Sequence, residues 1–265
     1  PVMGSYCDLI GVRSFARFES KQFDYEEVIL NQFIKYSGKP VFSMESATCH
    51  PLQAFADLIT IEEFKEQERP KVVLTWAPHP RALPQAVPNS FADFMNAADV
   101  DFVITHPKGY ELAPEFVGNA RVEYDQRKAF EGANFIYAKN WSAYADPNYG
   151  KILCQDRDWT VDTEKMSLTD NAFFMHCLPV RRNMIVTDDM IEANISRLIT
   201  VADAYLTSAI GEGYPVDDPK AIELGLIIIA DLYENRFVTS DKVSNQTRRI
   251  VSDFGLQLRL EMARA

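Results

Sequence analysis

The segment Lys71-Val-Val-Leu-Thr-Trp76 is a continuous apolar run, without the alternation of a strand that faces solvent on one side. Similar runs follow at residues 101–105, 134–138 and 172–175, and the four runs begin roughly 30 to 38 residues apart. That spacing leaves room for a strand, a helix and two loops. Strands that are apolar on both faces are typical of a parallel sheet covered by helices. The pattern therefore predicts an α/β fold with a parallel sheet.

Local signals extend this prediction to both sides of the first run. Residues 7–13 and 40–43 are two further strand candidates. The amphipathic stretch 89–98 predicts a helix, with Asn89 or Ser90 as its N-cap. A short helix is predicted over residues 125–132, because Gly132 is a typical helix terminator.

The composition changes sharply near residue 180. All four Cys, all four His and all three Trp lie before that point. Beyond it, apolar residues recur at steps of three and four from Ile191 to Ile210, which predicts one helix. The break predicts two units joined end to end, the second of them helical.

Two more helices are predicted in the second unit. The first begins at Pro219, with Asp217 or Asp218 as its cap. It includes the all-apolar run 224–232, so we expect it to be the buried centre of a small bundle. A third helix is predicted over residues 244–254, and residues 256–260 fit either a short strand or continued helix.

The overall composition excludes several classes of protein. The chain has 265 residues, 47% of them hydrophobic and 25% charged, with a net charge of −11. The acidic balance disfavours a broad nucleic-acid-binding surface, and no apolar run approaches the ~18 residues of a membrane span. The cysteines have irregular spacing and no signal sequence opens the chain, so we expect a cytoplasmic protein.

Polar residues concentrate where the predicted strands end, which is where parallel α/β sheets bind ligands. They are Arg13, Glu45, His50, Gln53, His79, Arg81, Lys139, Trp141, His176, Cys177, Arg181 and Arg182. So many cations and donors favour an anionic substrate. Each residue also has a structural explanation: a single Arg often forms an ion pair, a single loop His is often an ordinary polar residue, and Cys177 fits a buried apolar position.

Familiar motifs for other chemistries are missing from the sequence. The histidines lack the close spacing of zinc ligands, and no carboxylate cluster accompanies them. Neither a G-x-S-x-G elbow nor a glycine-rich phosphate loop is present. We therefore expect neither a metal nor a cofactor.

A set of motifs resembles the transcarbamylase family. The most specific are His176-Cys-Leu-Pro-Val-Arg-Arg-Asn183, at a predicted strand end, and His50-Pro-Leu-Gln53. The supporting motifs are Asp8-Leu-Ile-Gly-Val-Arg13, Met44-Glu45, Thr75-Trp-Ala-Pro-His-Pro80 and Tyr137-Ala-Lys-Asn-Trp141. Together they span residues 1 to about 190 and are similar to the branch that acts on N-acylated ornithines. Ordinary ornithine and aspartate carbamoyltransferases fit residues 76–79 and 181–182 less well.

This resemblance implies a domain organisation. Residues 1–48 would be the C-terminal part of a carbamoyl-phosphate-binding domain, and residues 49–187 an acylornithine-binding α/β domain. A small all-α module over residues 188–265 would follow. The family usually forms trimers whose sites are shared between subunits, so a homo-oligomer is expected.

The resemblance also implies an activity, which is transfer of a carbamoyl group from carbamoyl phosphate to the δ-amine of N-succinylornithine or N-acetylornithine. Arg13, His50 and the backbone of Cys177 and Leu178 match the positions that hold carbamoyl phosphate. Gln53 matches the position that donates to, or accepts from, the carbamoyl amide. A guanidinium and an imidazole near the developing oxyanion would stabilise it electrostatically.

The acylated amino acid has its own matching positions, Glu45, His79, Lys139 and Arg181. Lys139 suits the α-carboxylate, and Arg181 with His79 suits an outer succinyl carboxylate through charge-assisted hydrogen bonds. A free outer carboxylate favours succinyl over acetyl. Catalysis in this scheme is positioning and electrostatics, without a covalent enzyme intermediate.

The sequence departs from the family in one important respect. Transcarbamylases carry a phosphate-binding S-x-[RM]-T-R motif on an N-terminal helix, and no segment of this chain matches that pattern. We expect that segment to be missing and the chain to bind carbamoyl phosphate weakly, because it would lack the anion-binding end of a helix.

The tail resembles phage head–tail connector (DNA-packaging) proteins over residues 188–265. The similarity lies in residues 188–210 and 231–236, followed by an arginine-rich segment and residues 256–259. It implies a structural alternative, a ring-forming module behind an inert transcarbamylase-like remnant. A hybrid of enzyme and connector is the third possibility.

Overall fold

A computed structural model of the protein describes residues 2–211, 215–235 and 250. The chain divides into two compact units between Asp188 and Asp189. Among the described helices, none is long and apolar enough to cross a membrane.

A small parallel sheet opens the first unit. It pairs β1 (Ile10–Arg13) with β2 (Val41–Glu45), and α1 (Lys21–Tyr25) and α2 (Val28–Tyr36) connect them. The register shifts by one residue between Val12 and Arg13, which sets Arg13 opposite Glu45. The two strands begin and end close to the predicted positions. The shift brings a cation and a carboxylate together at the carboxyl ends of both strands.

A five-stranded parallel sheet, with the strand order β5-β4-β3-β6-β7, follows it. Its strands are β3 (Lys71–Trp76), β4 (Asp101–Thr105), β5 (Arg121–Glu123), β6 (Phe135–Lys139) and β7 (Phe173–Met175). The parallel sheet predicted from the four apolar runs is confirmed. The short edge strand β5 was not predicted, because Arg-Val-Glu is too short and too polar to produce a strand signal.

Both faces of the large sheet are covered. On β3, residues 72–76 are each 0% exposed. Val72, Leu74 and Trp76 belong to one apolar cluster, and Val73 belongs to another on the opposite face. Burial on both faces is the physical reason for the continuous apolar runs.

Helices connect the strands of the large sheet. They are α3 (Pro51–Phe64), α4 (Ala86–Ala97), α5 (Pro114–Val117), α6 (Gln126–Phe130) and α7 (Thr163–Met166). Asp125 caps α6, and Gly132 follows it with a positive φ of 64°.

The predicted N-cap of α4 is wrong. The helix begins at Ala86 with Gln85 as its N-cap, so Asn89 and Ser90 lie inside it and are buried. Their polar atoms serve tertiary contacts instead. Asn89 Nδ2 donates to the Thr48 carbonyl at 3.1 Å, and Ser90 Oγ accepts from the His50 amide at 2.8 Å.

The second unit contains α8 (Asp188–Ile210) and α9 (Pro219–Asn235), as predicted. Its apolar cluster includes Ala202, Leu206, Ile210, Ala221, Leu224 and Ile228. Asp218 accepts from the Lys220 amide at 2.8 Å and is therefore the cap of α9.

The expectation that α9 is buried on all sides is wrong for its described positions. Leu226 is 57% exposed, because the cluster buries only one face of the helix. The predicted third helix and terminal segment lie outside the described residues, apart from Ile250, which is helical.

Candidate functional site

Arg13, Glu45 and His50 form one group at the carboxyl ends of β1 and β2. The Arg13 guanidinium donates through Nε and Nη2 to Glu45 Oε2, at 3.0 and 2.9 Å. His50 Nε2 lies 3.6 Å from the same oxygen. The Glu45 side chain is 9% exposed and that of Arg13 58%. The buried carboxylate therefore holds the Arg13 guanidinium in place, and the outer side of the guanidinium stays open to an anion.

His50 also begins α3. As its N-cap, it accepts the Gln53 amide on Nδ1 at 3.3 Å, which turns Nε2 toward Glu45. Its backbone amide donates to Ser90 of α4. The position of the imidazole is therefore fixed by two helices.

Glu27 orders the segment between Glu45 and His50. Its carboxylate accepts from the Thr48 amide at 2.9 Å, the Thr48 hydroxyl at 2.6 Å, the Ser46 hydroxyl at 2.5 Å and the Ala47 amide at 3.3 Å. Sequence reasoning missed Glu27, because nothing local links it to residues 46–48.

A second group of polar residues lines a cavity of about 380 Å³. Its lining residues are His79, Leu83, Lys139, Asn140, His176, Pro179, Val180, Arg181, Arg182 and Ile185. Lys139 ends β6, His79 follows β3 and Arg181 follows β7. The strand ends thus bring His79, Lys139 and Arg181 to one cavity. Glu45, the fourth predicted acylornithine residue, contacts Arg13 and His50 instead.

The cavity is rich in positive charge. Arg182 forms an ion pair with Asp188. Within the described part of the chain, neither Lys139 nor Arg181 has a carboxylate oxygen within 4.0 Å. Burial, aided by the charges of Arg181 and Lys139, lowers the pKa of His79. The cavity therefore suits an anion bound by two cations and a mainly neutral imidazole.

His176 lies at a strand end, where the sequence suggests a cation, but its surroundings in the structure favour the neutral imidazole. Its Nδ1 lies 2.6 Å from the Ala138 carbonyl, which can only accept, so Nδ1 carries the proton. Burial lowers the pKa of His176 to about 4, and the charge of Lys139 adds to that effect. The imidazole is neutral at neutral pH and fixes the backbone between β6 and β7.

Cys177 and Leu178 follow β7 and are not among the residues that line this cavity. Cys177 is partly buried against the main apolar cluster, and Leu178 is 63% exposed. The predicted role of their backbone toward carbamoyl phosphate stays a prediction. Among the described residues, no group of three His, Cys, Asp or Glu side chains could hold a metal ion.

Two family models match the chain. The carbamoyl-P binding domain of aspartate/ornithine carbamoyltransferases matches residues 1–63, and the Asp/Orn binding domain matches residues 84–208.

Individual proteins that resemble the chain are also carbamoyltransferases. The chain is 75% identical over 202 residues to an N-succinylornithine carbamoyltransferase of Bacteroides thetaiotaomicron, a match that covers 76% of this chain and 64% of that protein. It is 33% identical over 242 residues to an N-acetylornithine carbamoyltransferase of Xanthomonas campestris, covering 81% of this chain and 70% of that protein. The chain thus spans a little under two thirds of the N-succinylornithine carbamoyltransferase's length.

Solved structures agree with these sequence matches. A variant of N-acetyl-L-ornithine transcarbamylase complexed with carbamyl phosphate and N-succinyl-L-norvaline is 36% identical, with a TM-score of 0.66. That match covers 72% of this chain and 63% of that one. The fold is therefore shared as well as the sequence.

The comparisons do not support the predicted resemblance of the tail to phage connectors. The Asp/Orn binding model instead continues through residue 208, well into that tail. Both domain models match in their expected order, and relatives above 30% identity are covered over most of their length. The chain belongs to the aspartate/ornithine carbamoyltransferase family.

Proposed function

We propose that this protein transfers the carbamoyl group of carbamoyl phosphate to the δ-amine of N-succinylornithine, as a cytoplasmic enzyme of arginine biosynthesis. The observation that carries the proposal is the cavity in which Lys139 and Arg181 have no carboxylate partner among the described side chains. Two such cations suit a ligand with two carboxylates. The four cysteines are free, in keeping with a reducing compartment.

Each substrate carboxylate has a matching cation in this proposal. Lys139 binds the α-carboxylate as a point charge, and Arg181 with His79 binds the outer succinyl carboxylate. N-acetylornithine lacks the outer carboxylate and would leave Arg181 without a partner. The proposed substrate is therefore the succinyl derivative, in line with the 75% identical relative.

The proposed chemistry needs no covalent enzyme intermediate. The δ-amine attacks the carbonyl carbon of carbamoyl phosphate, a carbon–nitrogen bond forms and the carbonyl oxygen gains negative charge. The bond between that carbon and the bridging phosphate oxygen then breaks, inorganic phosphate leaves, and the proton that the amine loses passes to the phosphate. Arg13 and His50 stabilise the oxyanion, since both are held at the same edge by Glu45. Catalysis by fixed charges and positioning follows from this arrangement.

The domain division belongs to the same proposal. Residues 1–48 contribute to the carbamoyl-phosphate side and residues 49–187 form the acylornithine-binding domain. The two family matches support the order of these regions, and the carbamoyl-P match extends beyond residue 48 to residue 63, so that it includes His50 and Gln53.

Binding measurements test the substrate. Arg181→Gln is expected to weaken binding of N-succinylornithine at least about tenfold and to leave N-acetylornithine nearly unchanged, because only the former offers the outer carboxylate. Arg182→Gln is the matched control, since Arg182 lines the same cavity but pairs with Asp188. Calorimetry with both ligands measures the effect. An equal loss for both ligands would contradict the succinyl assignment.

Calorimetry with carbamoyl phosphate tests the expectation of weak binding. Formation of N-succinylcitrulline by the purified 265-residue chain tests the activity. A chain that binds carbamoyl phosphate but forms no N-succinylcitrulline would contradict the proposed transfer.

We further propose a homotrimer. The outer face of α3 exposes Leu52, Phe55 and Ile59 by 49, 54 and 49%, an apolar stripe that association with further copies would cover. Light scattering after gel filtration is expected to give three times the chain mass of 30.1 kDa. A monomer, or a large ring in electron micrographs, would contradict the trimer, and the ring would favour a connector-like assembly.

A further inference from the structure

Gln53 and Asp57 are paired inside the carbamoyl-phosphate side of the proposed site. They lie four residues apart on α3, so their side chains share one face of the helix. Gln53 Nε2 donates to Asp57 Oδ1 at 2.9 Å. Asp57 is only 6% exposed. The pair is thus a buried hydrogen bond from an amide to a carboxylate.

The geometry of the pair determines which way the amide points. The nitrogen Nε2 is the Gln53 atom that lies 2.9 Å from Asp57 Oδ1, and this oxygen accepts the hydrogen bond, so the NH2 group of Gln53 faces Asp57. The carbonyl oxygen Oε1 is then the atom left to meet a ligand. The resemblance to transcarbamylases alone left Gln53 as either donor or acceptor toward the carbamoyl amide, and the pairing decides between them.

We propose that Asp57 is a positioning residue that orients the Gln53 amide so that Oε1 accepts a hydrogen bond from the NH2 group of carbamoyl phosphate. This inference rests on the proposed function, since it names the atom that recognises that substrate. Recognition of an NH2 group distinguishes the carbamoyl group from an acetyl group, which offers no donor in its place.

Tyr137 lies near Asp57 on the side of the sheet. This residue of β6 is 0% exposed, and within the described structure its hydroxyl has no hydrogen-bond partner at ordinary distance. Burial raises the pKa of Tyr137, and interactions with Cys177 and Asp57 raise it further, so the phenol stays protonated. Asp57 is thus buried between Gln53 on α3 and Tyr137 on β6.

Acetyl phosphate provides the sharpest test, because it replaces the NH2 of carbamoyl phosphate with a methyl group. Asp57→Leu removes the acceptor of the Gln53 NH2 group, so it is expected to weaken binding of carbamoyl phosphate about tenfold, roughly one hydrogen bond, and to leave binding of acetyl phosphate unchanged. In a Gln53→Ala background the same substitution is expected to change neither affinity, because Asp57 acts through Gln53. Equal losses for both ligands, or an undiminished loss in that background, would show a merely structural role and overturn the proposal.

A control pair exists elsewhere in the chain. Gln22 Nε2 donates to Glu26 Oε1 at 2.7 Å with the same four-residue spacing, but on the surface. Glu26→Gln is expected to leave the affinities for carbamoyl phosphate and for acetyl phosphate unchanged. Thermal melting of each variant shows whether it is folded.

Nuclear magnetic resonance separates this proposal from the function itself. In the ligand-free protein, the side-chain NH2 of Gln53 is expected to exchange with solvent at least about tenfold more slowly than that of Gln22, because its partner is buried. Comparable exchange rates would overturn the proposal without any variant having to fold. A protein that bound neither phosphate compound would contradict the proposed function, while the exchange rates would still decide whether Asp57 holds Gln53.

Discussion

His176 shows how burial changes the chemistry of a single side chain. Its position at the end of β7 puts it among the cations of the cavity, yet its imidazole is neutral because burial and the charge of Lys139 lower its pKa by more than the hydrogen bond to the Ala138 carbonyl raises it. Arg181, five residues later, is exposed. A position near the end of a strand therefore does not by itself tell whether a side chain is buried or whether a histidine carries a proton.

The depressed pKa of His176 makes stability depend on pH. The unfolded chain binds a proton near the ordinary pKa of 6.5, whereas the folded protein binds one only near a pKa of about 4. Stability is therefore lost as the pH falls through this window. Between pH 7.5 and pH 5, the free energy of unfolding of the protein is expected to fall by about 2 kcal/mol more than that of the His176→Gln variant. Urea unfolding of both proteins at both pH values measures this difference. An identical pH dependence in the two proteins would contradict the assignment.

At the scale of elements, the strands were predicted well and the contacts between elements were not. The central strands β3 and β4 have the predicted bounds because burial on both faces leaves an unbroken apolar run. The start of α4 was misplaced, because Asn89 and Ser90 resemble caps in sequence while their side chains serve the segment before α3.

The segment between β2 and α3 depends on Glu27 in the same way. Glu27→Ala leaves the backbone and hydroxyl donors of residues 46–48 without their acceptor, so a loss of about 2 kcal/mol in the free energy of unfolding is expected. The amides of Ala47 and Thr48 should also exchange faster with solvent, and carbamoyl phosphate should bind more weakly. Urea unfolding and hydrogen exchange measure the first two effects.

The neighbouring exposed carboxylate is the control for this element. Glu26→Ala removes the same charge from the adjacent position but leaves the segment's acceptor in place. It is expected to change stability by less than about 0.5 kcal/mol. Similar losses in both variants would show that charge, and not the hydrogen bonds of Glu27, stabilises the segment.

At the scale of the whole molecule, the large sheet organises the first unit. Val73 lies on its central strand, is 0% exposed and pairs with Val103 and Ile136 on the two neighbouring strands. Because β3 is hydrogen-bonded to β4 on one side and to β6 on the other, it cannot separate from the sheet without breaking both pairings. The sheet is therefore expected to unfold as a single cooperative body.

Val73→Ala tests this cooperativity. The substitution leaves a small cavity in the core, which is expected to lower the free energy of unfolding by about 2 kcal/mol. It is also expected to lower hydrogen-exchange protection equally across all five strands of the sheet. Val2→Ala, at a position 72% exposed, is the matched control and should change little. Loss of protection confined to β3 would contradict a single cooperative sheet.

The sequence by itself determined that the first unit is a parallel α/β structure, because burial on both faces demands apolar runs at regular spacing. It also placed polar side chains at the carboxyl ends of those strands, and its motifs identified the family. Only the tertiary structure decided which of these side chains meet: Glu45 with Arg13, and Lys139 with Arg181 in one cavity. It also decided that His176 is buried with a lowered pKa. The physical reason is that apolar patterning is written locally along the chain, whereas ion pairs, buried hydrogen bonds and pKa shifts depend on residues that only folding brings together.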